Sequence, residues 1–200
     1  MGAKMKIPTK EELAALSGRI SVEEGEYLMS LASQIQLGGQ VVEIGSYCGK
    51  STCYIAAGLL LSNNTSAKLH AIDLWTKGGT KSSKYHTEET WETWKRYVNK
   101  FEFGGLVIPH MTTSMKAVSK RKKPIDMLFL DGSHKYQSIH EDWREWKKFL
   151  FPGSIIAFHD YAEKWPGVMK VIDEEVILKY KLSNINQTMR LWSATYHGPK

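Results

Sequence analysis

Four acids, Glu43, Asp73, Asp131 and Asp160, each stand at the end of a short apolar run, and His134 and His159 lie within three residues of two of them. Carboxylates and imidazoles gathered in this way can bind hydroxyls, take up a proton or ligate a cation. The first acid leads into a glycine-bearing turn, Gly45-Ser46-Tyr47-Cys48-Gly49, and then into Lys50-Ser51-Thr52, which opens a helix-like stretch. Such a turn presents backbone N–H groups and a helix N-terminus to a ligand, and glycine permits the positive φ that residues with a Cβ resist. Two nucleotide motifs fail here. Gly49-Lys50-Ser51-Thr52 spells the end of a phosphate loop, but Ser46, Tyr47 and Cys48 leave it one residue short. The dinucleotide fingerprint fails because Tyr47 stands where its second glycine belongs, and a bulky side chain would block a pyrophosphate.

A third reading, E-x-G-x-x-x-G-x-S, resembles the first motif of class I S-adenosylmethionine-dependent methyltransferases. There the loop wraps an amino acid and a nucleoside, so Glu43, which would repel a triphosphate, suits a ligand carrying an ammonium and a sulfonium. The resemblance implies cofactor contacts from Glu43, Gly45, Ser46, Tyr47, Gly49, Ser51 and Thr52. The run Lys68–Asp73 ends thirty residues after Glu43. An acid at that second strand end can accept from both ribose hydroxyls, a device that NAD proteins share, or can merely cap the following turn. Leu74 and Trp75 would supply apolar surface beside the nucleoside.

The elements that must position these residues alternate. Apolar runs at Val41–Ile44, Lys68–Trp75, Ile125–Asp131 and Ser154–Phe158 read as strands ending in polar residues, as in a parallel sheet that binds ligands at its carboxyl edge. Residues 21–36 carry Val22, Tyr27, Leu28, Leu31, Ala32 and Ile35 at helical spacing, with Ser21 and Glu24 as a capping box. Residues 137–150 carry Trp143, Trp146 and Leu150 on one face. A short third strand is expected at Leu106–Pro109. Alternating strands and helices argue for right-handed βαβ units.

Taken together, EIGSYCGKST, AIDLW, IDMLFLDGSHKYQSIHEDW and LFPGSIIAFHDY resemble the small class I methyltransferases grouped with macrocin and aminocoumarin sugar O-methyltransferases and cephalosporin-hydroxylase-associated proteins, over about residues 20–175. The resemblance implies an α/β, Rossmann-like fold: a mostly parallel seven-stranded sheet with an antiparallel last strand and helices on both faces. Tyr180–Ala194, broken around Ser183-Asn184, is expected to supply the final hairpin. Some members hold a divalent cation where this chain has Asp131, His159 and Asp160. His159 departs from the acid or amide found there, and an imidazole suits Mn, Fe, Zn or Ni better than Mg. With or without a metal, these residues can also simply bond substrate or cofactor. Asp131 is implied in both cofactor binding and catalysis. His134 falls where catechol-type relatives carry a basic lysine; an ordinary imidazole, with a pKa of about 6.5, can accept an acceptor's proton, orient the substrate or cap a helix. Ser114 falls where relatives bind adenine, or is a helix N-cap.

Composition sets the outer bounds. The 200 residues suit one methyltransferase domain, with residues 1–20 as an N-terminal extension and 76–101 as a substrate lid containing Tyr85, His86 and Trp91. No run reaches the apolar length of a membrane span, the N-terminal stretch lacks the apolar segment of a secretory signal, and Lys6 breaks a myristoylation pattern. The expected setting is therefore cytoplasmic, with Cys48 and Cys53 as free packing residues. The net charge of +6 gathers most densely at Lys120-Arg121-Lys122-Lys123, where cations suit a helix C-terminus, so no nucleic-acid partner is expected. The expected partner is a small hydroxylated acceptor, sugar or phenol, and helix 21–36 leaves open a homodimer contact. The other functional class left standing is a non-catalytic binder of the same cofactor.

Overall fold

The computed structural model describes residues 6–75 and 87–200. Seven strands form one sheet: β1 (Gln40–Ile44), β2 (Lys68–Asp73), β3 (Val107–Met111), β4 (Ile125–Leu130), β5 (Leu150–Phe158), β6 (Tyr180–Thr188) and β7 (Leu191–Pro199), in spatial order β3-β2-β1-β4-β5-β7-β6. The first five run parallel, and β7 is antiparallel to both its neighbours. Because β2 and β4 flank β1 on opposite sides, strand order reverses beside β1. The loops leaving β1 and β4 diverge there, and the gap between them is where ligands enter such sheets.

The period-two alternation of the strands divides the core in two. Val41, Met127, Phe129 and Ala157 face α2 (Val22–Ala32), α3 (Lys50–Leu61) and α4 (Glu88–Lys100). Val42, Leu128, Leu130, Ile156 and Phe158 face α6 (Tyr136–Trp146) and the helix Pro166–Ile177. Covered on both faces, β1 is buried at all five positions, which explains why its residues do not alternate between apolar and polar. Ahead of α2, Leu13, Leu16 and Ile20 enter the first core.

Several boundaries differ from the sequence expectation. The helix read over 137–150 stops at Trp146, and Leu150 opens β5 rather than closing a helical face. Pro152 disfavours helix just before it, and Gly153, at φ 104°, lies among extended residues. The third strand is shifted to Val107–Met111. The break expected around Ser183-Asn184 is a bulge inside a nine-residue strand, with Asn184 at φ 49°, and the hairpin turns instead at Met189-Arg190. Asparagine tolerates the left-handed region, so it reads as a turn signal even where the strand continues. Helix 21–36 is realised as Val22–Ala32, and its apolar stripe is spent against α3 within the chain.

Candidate active site

At the tip of β1 the backbone does the shaping. Gly45 has φ 88°, and a Cβ there would overlap the carbonyl of Asp131, so β4 can approach only a glycine. Gly49, at φ 89°, turns the chain into α3, and Tyr47 between them also lies at positive φ, 46°. Asp73 fixes this turn from the neighbouring strand: Oδ2 accepts from the Tyr47 N–H at 2.8 Å and Oδ1 from the Leu74 N–H at 2.6 Å. Trp75 is fully buried beneath the loop and donates its indole N–H to the Tyr47 carbonyl at 2.9 Å.

Glu43 is also placed behind the loop. Its Oε2 accepts from Ser46 Oγ at 2.8 Å and Thr52 Oγ1 at 2.5 Å, while Oε1 is buried without a hydrogen-bond partner. Burial pushes its carboxyl up to about 7 against the pull of these hydroxyls. Trp94 continues the chain by donating Nε1–H to Thr52 Oγ1 at 3.3 Å. Trp91 stacks on Trp94 and tilts against Trp75 rather than opening onto the cavity, because its helix packs its apolar stripe on the core. Tyr85 and His86 lie outside the described residues.

A second cluster forms where β4 and β5 end. His159 is buried, with Nδ1 3.0 Å from Asp131 Oδ1 and 3.5 Å from Asp160 Oδ2. Its Nε2 faces Glu24 Oε2 at 3.3 Å, without hydrogen-bond alignment. Arg190, from the β6–β7 turn, donates to Asp160 Oδ1 at 2.6 Å and to the Arg19 carbonyl at 3.2 Å, and its backbone N–H donates to Glu24 Oε1 at 3.0 Å. His134 Nε2 lies 2.7 Å from Asp160 Oδ2, and its ring stacks on Trp165 with centroids 3.9 Å apart. Burial disfavours a charged imidazole, but Asp131, Asp160 and Glu24 outweigh it and His159 is pushed up to about 12. Burial likewise opposes ionisation of Glu24, yet His159, the Ser21 N–H and the Arg190 N–H bring it down to about 2. Asp160 is held well below the usual carboxylate range by the two histidines despite its burial. Burial raises Asp131 in spite of His159.

One cavity of about 1240 Å³ joins the two clusters. Among the residues expected from the sequence, Gly45, Ser46, Tyr47, Ser51, Asp73 and Leu74 are on its wall at one end. Asp131, His134, His159 and Asp160 are on the wall at the other, and Ser114 also lines it. Glu43, Gly49, Thr52 and Trp75 stand behind the wall and shape it. Ser114 is not the N-cap of its helix; Thr113 is, accepting from the Lys116 N–H, while Ser114 Oγ accepts from Trp146 Nε1 at 2.7 Å. Sequence reading missed Glu24 and Arg190. Glu24 does close the capping box with Ser21, and that role hid the other one. Nothing in the sequence singles out an arginine in a hairpin turn.

The residues expected to hold a divalent cation do not fit one. A metal-bound imidazole needs a free lone pair, whereas the Nδ1 of His159 lies between two carboxylates and its Nε2 faces a third. Among the described residues, one other trio, Asp131, His134 and Asp160, brings ligand atoms within 4.8 Å of one another. There the oxygens of Asp160 are already engaged by His134 and Arg190.

Residues 42–161 match the sequence profile of the family Methyltransf_24, a methyltransferase domain. An uncharacterized protein of Acanthamoeba polyphaga mimivirus is 27% identical over 140 residues, 68% of this chain. This chain spans 58% of that protein and, in a separate match, 13% of the length of another curated relative. The O-methyltransferase of Bacillus cereus, solved with SAH, superposes with a TM-score of 0.69 at 16% identity, covering 94% of this chain and 92% of its own. The O-methyltransferase TomG of Streptomyces achromogenes, solved with SAM, superposes with 0.69 at 19% identity, covering 90% and 82%. No helix among the described residues is long and apolar enough to cross a membrane. With its seven-stranded sheet reversing beside β1, a glycine turn at the reversal and a family match covering more than half its length, the chain belongs to the methyltransferase-domain family, in its class I, Rossmann-like form.

Proposed function

We propose that this chain transfers a methyl group from S-adenosylmethionine to a hydroxyl of a small acceptor. The single observation that carries this reading is the shared cavity: a glycine turn with Asp73 at one end, and a histidine–carboxylate pair at the other. The Bacillus cereus protein and TomG, both O-methyltransferases, favour oxygen as the accepting atom.

A sulfonium methyl is already activated, so the protein needs no covalent nucleophile; it must align the acceptor and remove one proton. With Nε2 turned to Asp160, His134 has Nδ1 left to receive the hydroxyl proton, and Asp160 then faces the imidazolium formed. Trp165 fixes the ring plane by stacking, and Arg190 fixes Asp160. The methyl carbon bonds to the acceptor oxygen as the carbon–sulfur bond breaks, the sulfur keeps that electron pair as a neutral thioether, and the proton goes to His134. Asp73 lies on the cavity wall at the cofactor end, where an acid at a second strand end can accept from ribose hydroxyls. The free cysteines Cys48 and Cys53 suit a reducing, cytoplasmic setting.

The test has two readouts. Calorimetry with S-adenosylhomocysteine is expected to show micromolar binding, and radiolabelled donor is expected to lose methyl to at least one member of a sugar and phenol panel. Donor binding without transfer to any acceptor would favour the non-catalytic binder. Absence of donor binding would end the proposal.

A further inference from the structure

We propose that this protein works without a divalent cation, because the His159 ring and the Arg190 guanidinium occupy the place and meet the charge demand that a metal would meet between Asp131, Asp160 and Glu24. The cluster is a lattice of alternating charge. Asp131 Oδ1 has His159 Nδ1 at 3.0 Å, Asp160 has Arg190 at 2.6 Å and His134 at 2.7 Å, and Glu24 has His159 at 3.3 Å and Arg190 Nε at 3.5 Å. Every carboxylate thus faces a cationic or proton-bearing nitrogen. A hard cation requires carboxylate oxygens that no other donor has claimed. To enter, it would have to expel either the ring of His159, buried between elements from both ends of the chain, or the guanidinium that ties the β6–β7 turn to the Arg19 carbonyl. Either loss would leave buried carboxylates unpaired, which is costly. Positioning therefore falls to fixed side chains. His159 is a positioning residue: it holds Asp131 on the cavity wall, while Asp160 holds His134.

The inference rests on the methyl-transfer reading for its purpose, but its main test, metal binding, needs neither donor nor acceptor, so each can fail alone. Chelator-treated full-length protein is titrated with Mn²⁺ and followed by electron paramagnetic resonance. No binding below the millimolar range is expected, and S-adenosylhomocysteine affinity measured separately is expected to be the same within about twofold with chelator or with Mg²⁺. Stoichiometric Mn²⁺ binding at micromolar concentration, or donor-product binding that requires Mg²⁺, overturns the proposal. His159→Asp exchanges the built-in cation for a further oxygen ligand and is expected to gain at least about tenfold in Mn²⁺ affinity. His159→Asn removes the cation without adding an acid; it is expected to gain affinity by a smaller factor and serves if the aspartate variant does not fold. Folded variants that bind Mn²⁺ no better than the parent would show that His159 does not stand in for a metal.

Discussion

The two ends of the cavity are built by different means. The end proposed for the cofactor is a backbone structure: two glycines at positive φ, N–H groups collected by Asp73, and a buried Glu43 behind the wall. The end proposed for the acceptor is a side-chain structure, in which three carboxylates, two histidines and an arginine hold one another. A backbone turn tolerates little change in shape and much change in charge, whereas a charge lattice tolerates the reverse. The contrast suits the proposed tasks, one end fitting a single ligand closely and the other handling a proton.

The proposed proton transfer gives the largest expected effect. His134→Ala is expected to lower turnover by about 10²- to 10⁴-fold, the usual worth of a general base, while S-adenosylhomocysteine affinity in calorimetry moves less than about threefold. Equal losses in both would erase the division between the ends. Gly45→Ala is the converse probe. Left-handed backbone plus overlap with the Asp131 carbonyl is expected to cost about 3 kcal/mol of stability in urea unfolding, with cofactor affinity falling alongside. A neutral substitution would mean that the turn is not held by shape.

Glu43 sharpens the comparison through pH. Its folded-state pKa, about 7, lies above the ordinary value of 4.5, so the native state keeps a proton that the unfolded chain releases. The stability this contributes is full below about pH 4.5 and is lost as pH rises to about 7, a swing of about 3 kcal/mol. Glu43→Gln should flatten that slope in denaturant titrations at a series of pH values and leave cofactor affinity within about twofold. Loss of affinity would return Glu43 to direct ligand contact. Smallest is Arg190→Ala, with about 1–2 kcal/mol of stability lost, discounted because the side chain is partly exposed. Its diagnostic is a turnover loss that exceeds any change in donor binding.

How much was legible follows the same division. The cofactor end was readable because Glu43 to Thr52 is one contiguous stretch, and glycine spacing reports backbone geometry directly. Even so, the sequence named Trp75 and Thr52 for the ligand, whereas both pack behind the loop: residue type shows what a side chain can do, and only its direction shows what it does. The acceptor end was half readable. Asp131, His134, His159 and Asp160 lie at or just beyond strand ends, where a sequence reading looks, but Glu24 already had a complete local role as a capping residue, and Arg190 stood in a turn misplaced by the asparagine bulge.

Local sequence determined the strands, their order of appearance, the glycine turn and the acids at the strand tips, because each of these depends on near neighbours and on a two- or 3.6-residue period. Tertiary structure decided the charges. Whether Asp131, His159 and Asp160 make a metal site or a closed lattice depends on Glu24 and Arg190, which lie 166 residues apart and meet only after the sheet has formed. Electrostatic energy depends on distance in space and on exclusion of water, and neither is written along the chain.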